Sequence, residues 1–291
     1  MLVNLNGKLV SKEDAKISVF DHGLLYGDGV FEGIRIYDGN IFRLKEHIDR
    51  LYNSAKFIML DIGMPKEQMI KETVKVVAAS KIRNGYIRLV VTRGVGDLGL
   101  DPRKCSKPTY FIIVDNIKLY PEEFYKKGLE ITTVAIRRNI SEALNPQVKS
   151  LNYLNNILAK IEAINHGSFE AVMINDQGYV TEATGDNIFI VKNGQLFTTP
   201  TYIGVLEGIT RETVIEIASS LKIKTQEKIM TRYDLYTADE CFLTGTAAEV
   251  IPVVKIDARV INNGAPGSIT KKIIREFKKK TKILGVKVKY D

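Results

Sequence analysis

Short apolar runs joined by tight-turn dipeptides recur along this 291-residue chain and limit the folds that it can adopt. Asn6-Gly7, Asp38-Gly39 and Asn193-Gly194 each separate two such runs, and dipeptides of this kind favour the backbone that closes a two-residue β-hairpin. Segments with apolar residues at helical spacing alternate with the hairpins, as at 44–58 and 153–165. Because strands and helices occur in both halves of the chain, we predict an α+β or mixed α/β fold in two domains.

The predicted domains are a smaller N-terminal domain over 1–116, a connector over 117–127 and a larger C-terminal domain over 128–291. These lengths agree with a prior of roughly 150 residues per domain. We expect 93–107 to be a loop and Asn152 to cap the helix that follows it. The other expected elements are strands at 1–5, 8–10, 34–37, 40–42, 86–92, 109–115, 130–136, 170–175, 179–182, 188–192, 195–198, 240–244 and 250–256, and helices at 65–81, 210–221 and 268–282.

Composition excludes several classes of protein. Apolar residues make up 45% and charged residues 26% of the chain, as in globular proteins and unlike disordered or fibrous ones. No apolar run approaches the roughly 18 residues that cross a bilayer, and the first residues lack the pattern of a signal peptide. Cys105 and Cys241 form no CxxC motif and the chain has three histidines, so we expect neither a metal site nor a disulfide framework, and a cytoplasmic protein is the default expectation.

The net charge of +8 at pH 7 favours anionic partners, which could be nucleic acid or small acids. Much of it comes from lysines near the C-terminus, which fit the solvated face of a helix at 268–282. The aromatic interleaving of a nucleic-acid platform is missing. A basic nucleic-acid-binding module is therefore the alternative from a different functional class, and the expected partners are small molecules, with neither nucleic acid nor membrane among them.

Four features of the sequence could carry chemistry. The glycine-bounded loop 204–208 leads into a helix whose first N–H groups can bind phosphate, and the turn 244–248 consists of small residues that expose N–H groups and hydroxyls. Apolar neighbours disfavour the charged form of Lys149, and a neutral amine can condense with a carbonyl. At a strand end, Glu182 could pair with a protonated ring nitrogen. An ordinary structural role explains each feature singly, but together they supply what pyridoxal 5'-phosphate requires.

A wider pattern connects these features. The order and the spacing of its residues match one family signature. The pattern consists of Glu182, Thr184, Asn187-Ile188-Phe189, Phe197-Thr198-Thr199 and Leu206-Glu207-Gly208-Ile209-Thr210-Arg211. In this signature, and in matching runs at 26–35, 47–51 and 149–153, the chain resembles the fold-type IV pyridoxal-phosphate enzymes. That group contains branched-chain aminotransferases, D-amino-acid aminotransferases and aminodeoxychorismate lyases. The resemblance covers nearly the whole chain and implies the fold-type IV architecture of a small N-terminal and a larger C-terminal α/β domain.

The resemblance implies a role for each matched residue. Lys149 would form the imine with pyridoxal phosphate and would be the catalytic base. Tyr153 would bind the phenolic oxygen of the cofactor and Glu182 its ring nitrogen. The phosphate would be held by Arg50, the N–H groups of Ile209 and Thr210, and Thr246. The substrate-binding residues would be Tyr26, Phe31, Gly33, Arg35, Tyr86, Arg88, Thr246 and Ala247.

Tyr86-Ile87-Arg88 and the turn 246–248 match the L-branched-chain subgroup. This match implies transamination of leucine, isoleucine and valine with 2-oxoglutarate. D-amino-acid aminotransferases usually carry an arginine and a histidine two apart in the loop at 93–107, whereas Arg103 is followed here by Lys104 and Cys105. A D-amino-acid aminotransferase thus stays the first alternative, ahead of a lyase. The resemblance also implies at least a homodimer, in which that loop reaches the pocket of the neighbouring subunit.

Overall fold

The chain forms two compact units. The computed structural model describes residues 1–117 and 120–290, and positions 118, 119 and 291, which the predicted connector and C-terminal domain include, lie outside the described residues. The segments of unit 1 are Met1–Ile117, Val148–Asn152 and Thr281–Asp291, and those of unit 2 are Lys118–Gln147 and Tyr153–Lys280. Two stretches of the predicted C-terminal domain, 148–152 and 281–291, therefore belong to unit 1. The predicted division into domains at 1–116 and 128–291, with a connector at 117–127, stays a prediction.

The described residues form strands and helices throughout. The strands are β1 (Leu2–Leu5), β2 (Lys8–Ser11), β3 (Gly29–Tyr37), β4 (Asn40–Phe42), β5 (Gly85–Thr92), β6 (Thr109–Asp115), β7 (Leu129–Arg137), β8 (Glu170–Ile174), β9 (Val180–Ala183), β10 (Asn187–Lys192), β11 (Gln195–Thr198), β12 (Thr225–Glu227), β13 (Glu240–Gly245), β14 (Glu249–Ile256), β15 (Arg259–Val260) and β16 (Gly285–Lys287). The helices are α1 (His22–Tyr26), α2 (Leu44–Phe57), α3 (Lys66–Ser80), α4 (Glu122–Lys127), α5 (Ser141–Leu144), α6 (Leu154–Asn165), α7 (Ile209–Ser220), α8 (Arg232–Tyr236) and α9 (Ser268–Lys280). This mixture confirms the predicted α+β class.

Unit 1 is built on one antiparallel sheet. Its strand order is β16-β4-β3-β5-β6-β1-β2, and the apolar residues of one sheet face pack with those of α2 and α3. Side chains alternate between the faces of a strand, so every second residue of β3 and β5, such as Ile34 and Ile87, enters this core. The opposite face of the same two strands is left for other side chains, which become important below.

Unit 2 is built on a mixed sheet. The strand order is β12-β11-β10-β13-β14-β7-β8-β9, with β15 paired to β14. β7 runs parallel to both β14 and β8, whereas β10 and β13 pair antiparallel. The apolar core includes Ile188, Leu243 and Ile251 from neighbouring strands. This sheet fixes the ends of β9 and β13, where two of the predicted functional segments begin.

Several predicted elements need correction. β3 begins at Gly29 and not at 34, because its first residues pair with the end of β5. The predicted connector contains α4. Asn152 does not cap α6, since Tyr153 occupies that position and the Asn152 amide donates to the Gly27 carbonyl at 3.0 Å. Short β12, α8, β15 and β16 have no counterpart among the predicted elements.

The described residues contain neither a membrane-spanning helix nor a metal-binding group of side chains. In the ranges 1–117 and 120–290, no helix is long and apolar enough to cross a membrane. Within the same part of the chain, no three side chains of the metal-binding types His, Cys, Asp and Glu form a group that could hold a metal ion.

Candidate active site

Lys149 lies on the segment 148–152, which extends the sheet of unit 1 beside the start of β3. The Lys149 carbonyl accepts a hydrogen bond from the Phe31 N–H at 3.0 Å, and the Leu151 N–H donates to the Gly29 carbonyl at 2.9 Å. β4 pairs only with the last two residues of β3, so the first half of this strand edge is open to the segment. The main chain of Lys149 is therefore held as firmly as a strand residue, although both flanks of the segment belong to unit 2.

The amine of Lys149 is directed toward an aromatic ring. Its Nζ lies 4.5 Å from the centre of the Phe31 ring, a distance at which the ring face attracts an ammonium group. The Lys149 N–H donates to Ser54 Oγ of α2 at 3.1 Å. The side chain thus leaves a fixed backbone and is guided over the sheet face that carries Phe31.

The same face of the sheet carries all the other predicted substrate-binding residues of unit 1 except Tyr26, which lies on α1. Phe31, Gly33 and Arg35 alternate with core residues along β3, and the register places Gly33 opposite Arg88 and Arg35 opposite Tyr86 on β5. The Arg88 guanidinium lies 4.6 Å from the centre of the Phe31 ring and 5.5 Å from that of Tyr86. A cation–π contact of this kind holds an arginine without using its N–H donors.

Gly33 is required for this arrangement. A Cβ atom at position 33 would lie 1.8 Å from the hydroxyl oxygen of Tyr86, far inside van der Waals contact. The absence of a side chain therefore lets the tyrosine lie across β3.

Tyr26, at the end of α1, is exposed and packs edge-on against the His22 ring with 4.9 Å between ring centres.

Arg50, the predicted phosphate ligand of unit 1, is held by an acidic residue. It lies on α2, and its Nε and Nη2 donate to the two carboxylate oxygens of Glu32 at 2.7 Å and 2.9 Å. Its side chain is 11% exposed and that of Glu32 is fully buried. The arginine therefore has a fixed plane, with one edge occupied by the carboxylate.

In unit 2, the donors that orient Glu182 include two side chains and one backbone N–H. The buried carboxylate, on β9, accepts hydrogen bonds from Arg138 Nη2 at 2.8 Å, from Asn187 Nδ2 at 3.0 Å and from the Leu206 N–H at 3.1 Å. Arg138 in turn donates to the Asn156 side chain at 3.0 Å. A buried carboxylate needs such a counter-charge to stay ionised, so the arrangement keeps an oriented negative charge at the end of β9.

The loop after Leu206 leads into the N-terminus of α7, as predicted. Gly208 is the N-cap residue and offers no side chain to the first N–H groups of the helix. A Cβ atom at Gly208 would lie 2.0 Å from Asn187 Oδ1, so the glycine permits the close approach of this asparagine. Ile209 and Thr210 then present the positive end of a twelve-residue helix, which suits an anion.

The turn between β13 and β14 contains Thr246 and Ala247, which are both half-buried. A Cβ atom at Gly245, just before them, would lie 1.8 Å from Asp186 Oδ1. Thr244 Oγ1 is buried and has no hydrogen-bond partner among the described residues. A small, polar turn with an unsatisfied hydroxyl at its base fits the predicted role in binding an anionic group.

The structure thus sorts the predicted site residues into two sets. Unit 1 contains Lys149, Arg50, Tyr26, Phe31, Gly33, Arg35, Tyr86 and Arg88, and unit 2 contains Tyr153, Glu182, Ile209, Thr210, Thr246 and Ala247. The sequence profile described as "Amino-transferase class IV" matches residues 29–256, which is more than half of the chain and contains all but one of these residues. The chain belongs to the class IV aminotransferase family.

Relatives of this aminotransferase include enzymes named for different substrates. A Methanocaldococcus jannaschii protein, provisionally named a branched-chain-amino-acid aminotransferase, is 57% identical over 291 residues and 100% of both chains. A D-alanine aminotransferase from Bacillus licheniformis is 36% identical over 273 residues, which cover 94% of each chain. The solved structure of the branched-chain amino acid aminotransferase from Thermobaculum terrenum in its PLP form has a TM-score of 0.88 and 30% identity, and the match covers 96% of this chain and 93% of that one.

Two features of this aminotransferase were not predicted. Arg138 was missed because it follows another arginine at the end of β7, and nothing in the sequence separates its buried side chain from the exposed one of Arg137. The ion pair of Glu32 with Arg50 was also missed, although the pattern held a signal for it. A glutamate on the core side of an apolar strand must find a cation when it is buried.

Proposed function

We propose that this class IV aminotransferase transfers amino groups between L-branched-chain amino acids (leucine, isoleucine and valine) and 2-oxoglutarate, with pyridoxal 5'-phosphate as cofactor. The observation that carries the proposal is the fixed Lys149, whose amine lies beside Phe31 on a face with Tyr86 and Arg88. The M. jannaschii and Thermobaculum terrenum proteins named for this substrate class support it.

The residues present fit a phosphorylated aldehyde cofactor. Arg50 and the glycine-capped N-terminus of α7 suit a phosphate, and Glu182 offers an ionised carboxylate for a protonated ring nitrogen. About four charge-assisted hydrogen bonds of roughly 1.5–3 kcal/mol each would be a sufficient source of affinity. When bound, the cofactor supplies a carbonyl that condenses with amines and a ring that accepts the electrons released from the α-carbon.

The side chains of the chain then have separable tasks. Lys149 Nζ would hold the cofactor until the substrate amine displaces it, and the freed amine would then take the proton from the α-carbon of the substrate and deliver it to the carbon of the former cofactor carbonyl. The fixed backbone of Lys149 keeps this base close to that proton. Glu182 raises the pKa of a ring nitrogen beside it, since an opposite charge favours the protonated form. Tyr153 binds the phenolic oxygen, and Thr246 and Ala247 bind the substrate with Tyr26, Gly33 and Arg35.

Arg88 explains how one pocket can accept both leucine and glutamate. Its guanidinium carbon lies 4.6 Å from the centre of the Phe31 ring, so an aliphatic side chain placed here would meet an aromatic ring and a weakly hydrated cation. A glutamate side chain instead reaches the N–H donors at the rim of the same guanidinium.

Family membership alone does not choose between L- and D-substrates, because a D-alanine aminotransferase is among the relatives. The absence of the arginine-x-histidine pattern at Arg103 favours the L-substrates.

Three experiments test the function: borohydride labelling, a comparison of substrates and the turnover of a Lys149→Ala variant. Treatment of the purified protein with borohydride should fix the cofactor on Lys149, and peptide mass spectrometry would locate the label. L-leucine and D-alanine, each with 2-oxoglutarate, then separate the two substrate classes. Label on another lysine, or a Lys149→Ala variant that keeps a few per cent of the wild-type turnover, would remove Lys149 from its role. Faster turnover of D-alanine would replace the L-branched-chain assignment by the D-amino-acid alternative.

We also propose that the enzyme acts as a homodimer, and α6 supports this. Its outer face consists of aliphatic residues that are 44–66% exposed, namely Leu154, Ile157, Leu158, Ile161 and Ile164. The charged residues of α6 turn inward, since Lys160 pairs with Glu170 at 3.0 Å and Glu162 accepts the Ala135 N–H at 2.7 Å. An apolar face of this size is typical of an interface.

Unpaired thiols at Cys105 and Cys241 favour a reducing compartment, so we place the enzyme in the cytoplasm.

Light scattering of an Ile157→Glu/Ile161→Glu variant tests the assembly. We expect the wild type to have the mass of a dimer or a larger even-numbered assembly, and the variant to have that of a monomer with unchanged circular dichroism. A Lys271→Glu/Lys272→Glu variant of the exposed face of α9 is the matched control. An unchanged mass of the α6 variant would show that this helix is not the interface.

A further inference from the structure

Glu32, His47 and Arg50 form a buried cluster in unit 1 whose purpose the proposed chemistry leaves open. Glu32 lies on the core face of β3, and the other two lie one helical turn apart on α2. The Glu32 carboxylate accepts a hydrogen bond from His47 Nδ1 at 2.7 Å in addition to the two from Arg50. The side chains of Glu32 and His47 are 0% and 1% exposed. Two residues outside the predicted site thus contact a predicted phosphate ligand directly or through one carboxylate.

The groups of the cluster differ in whether they are charged at neutral pH. Burial opposes ionisation of Glu32, but the positive charge of Arg50 and the interaction with His47 outweigh it and hold the pKa of the carboxyl well below its ordinary value. Burial lowers the pKa of His47, and Glu32 only partly offsets this effect. At neutral pH the cluster therefore contains an ionised glutamate, an arginine and a neutral histidine that donates from Nδ1.

The neutral histidine has an unusual surrounding. Its Nε2 is buried and has no hydrogen-bond partner among the described residues. A buried polar atom without a partner costs stability, so a residue retained for packing alone would be better replaced by an apolar one. The useful part of His47 is thus the Nδ1–H, which fixes the carboxylate without adding a second positive charge beside Arg50.

We propose that Glu32 and His47 are positioning residues that orient Arg50 and thereby set the affinity of the enzyme for the phosphate group of its cofactor. The inference rests on the proposed function, because Arg50 is assigned to the phosphate there. Glu32 holds the guanidinium by its Nε edge in the side-on geometry. This bidentate pairing fixes the plane of an arginine, which then needs little reorganisation to meet an anion.

The test compares a phosphorylated with an unphosphorylated probe. The dissociation constants of pyridoxal 5'-phosphate and of pyridoxal are measured by titration of the apoenzyme, which needs no turnover. We expect Glu32→Gln to raise the constant for pyridoxal 5'-phosphate about ten- to hundredfold and to leave that for pyridoxal within about twofold. An equal loss for both probes would show that Glu32 supports the fold and not the phosphate ligand.

His47 provides a matched pair of variants. The amide nitrogen of His47→Asn can replace the Nδ1–H donor, whereas His47→Leu cannot. We expect His47→Asn to bind pyridoxal 5'-phosphate nearly as the wild type does, and His47→Leu to bind it more weakly, with urea unfolding midpoints measured for both. Equal affinities of the two variants would remove His47 from the positioning role.

A double variant shows whether Glu32 acts through Arg50. If it does, Glu32→Gln/Arg50→Ala binds pyridoxal 5'-phosphate no more weakly than Arg50→Ala alone, and it is the more stable of the two because no unpaired buried carboxylate is left. Losses that multiply would overturn the inference while the proposed function stands. A wild-type enzyme that does not bind pyridoxal 5'-phosphate would refute the proposed function, and this inference with it.

Discussion

Tyr86 lies over β3 only because position 33 lacks a side chain. We therefore predict that Gly33→Ala, whose Cβ would lie 1.8 Å from the Tyr86 hydroxyl, displaces the tyrosine from its position on the sheet face that carries Phe31. The strand itself should persist, since alanine is sterically allowed there and Gly33 has no positive φ. We expect kcat/KM for L-leucine to fall about tenfold or more, as a misplacement of about 1 Å can reduce rates strongly.

Gly99→Ala is the control for this substitution. Among the described residues, nothing lies within 4 Å of the Cβ position at Gly99, so this variant should keep the free energy of unfolding of the wild type and shows the effect of an added methyl group that meets no other atom of its own chain. Tyr86→Phe in the Gly33→Ala background removes the hydroxyl oxygen, which is the atom nearest to the added Cβ. We expect this second substitution to reverse part of the increase in KM that Gly33→Ala causes. If Gly33→Ala alone has wild-type kinetics, the contact between position 33 and Tyr86 does not position the substrate.

Arg138 and Arg137 offer a sharper comparison at adjacent positions. Arg138 is buried against Glu182, whereas the neighbouring side chain of Arg137 is exposed. Removal of one partner from a buried ion pair leaves an uncompensated charge and costs about 3–5 kcal/mol. We predict a loss of that size in the free energy of unfolding for Arg138→Leu, and less than about 1 kcal/mol for Arg137→Leu. Equal losses in urea titrations would contradict the burial argument.

The position of His47 on α2 predicts how stability depends on pH. Burial lowers its pKa below the ordinary 6.5, Glu32 opposes the shift, and the positive charges of Arg50 and Lys149 add to it. The unfolded chain therefore binds this proton more readily than the folded one, so stability falls as the pH drops below 6.5. The stability contributed by Glu32, whose pKa is lowered from 4.5, is lost only below that value.

Urea unfolding at about pH 7.5 and pH 5.5 isolates the histidine. In this window we expect a smaller loss of stability for His47→Asn than for the wild type, because the variant has no group that titrates at this position. His166, which is exposed, serves as the control in a His166→Asn variant. A loss that is the same in the wild type and His47→Asn would show that His47 is protonated equally in both states.

The local elements could be predicted because their signals are short-range. Asn6-Gly7 and Asn193-Gly194 adopt positive φ angles at both residues, as a tight hairpin requires, and the flanking strands pair as expected. The signature from which the site residues of unit 2 are predicted is readable for the same reason, since its part around Glu182 and Gly208 lies within one stretch of chain. β3 was predicted too short because its first residues are defined by their pairing with β5 and not by their own pattern.

Long-range partners could not be predicted. Nothing near Lys149 indicates that its segment pairs with β3, more than a hundred residues earlier in the chain. Likewise, α6 shows an apolar stripe whether that stripe faces its own sheet or another molecule, and the structure buries the small residues Ala159 and Ala163 instead. Periodicity reports that a face is apolar, but the identity of the surface that covers it depends on tertiary contacts.

The C-terminal segment, residues 281–290, belongs to unit 1 and adds a strand to its sheet. β16 forms one edge of the seven-stranded sheet and pairs with β4. Val288 is buried in the core of unit 1, and its N–H donates to the Gly39 carbonyl at 2.9 Å. The sheet of unit 1 therefore gains its edge strand β16 only after the segments of unit 2 have been synthesised.

Asn40 allows this dependence to be tested without a truncation. Its buried side-chain amide donates to the Thr281 carbonyl at 2.8 Å and to the Leu284 carbonyl at 3.0 Å, and so holds the start of the C-terminal segment. We predict that Asn40→Ala lowers the free energy of unfolding by about 1–3 kcal/mol and increases hydrogen exchange in β16 and β4 more than in β13 of unit 2. Lys289→Ala, which changes an exposed residue of the same segment, should do neither. If exchange in β16 were unaffected by Asn40→Ala, the strand would be held by its backbone pairing with β4 alone.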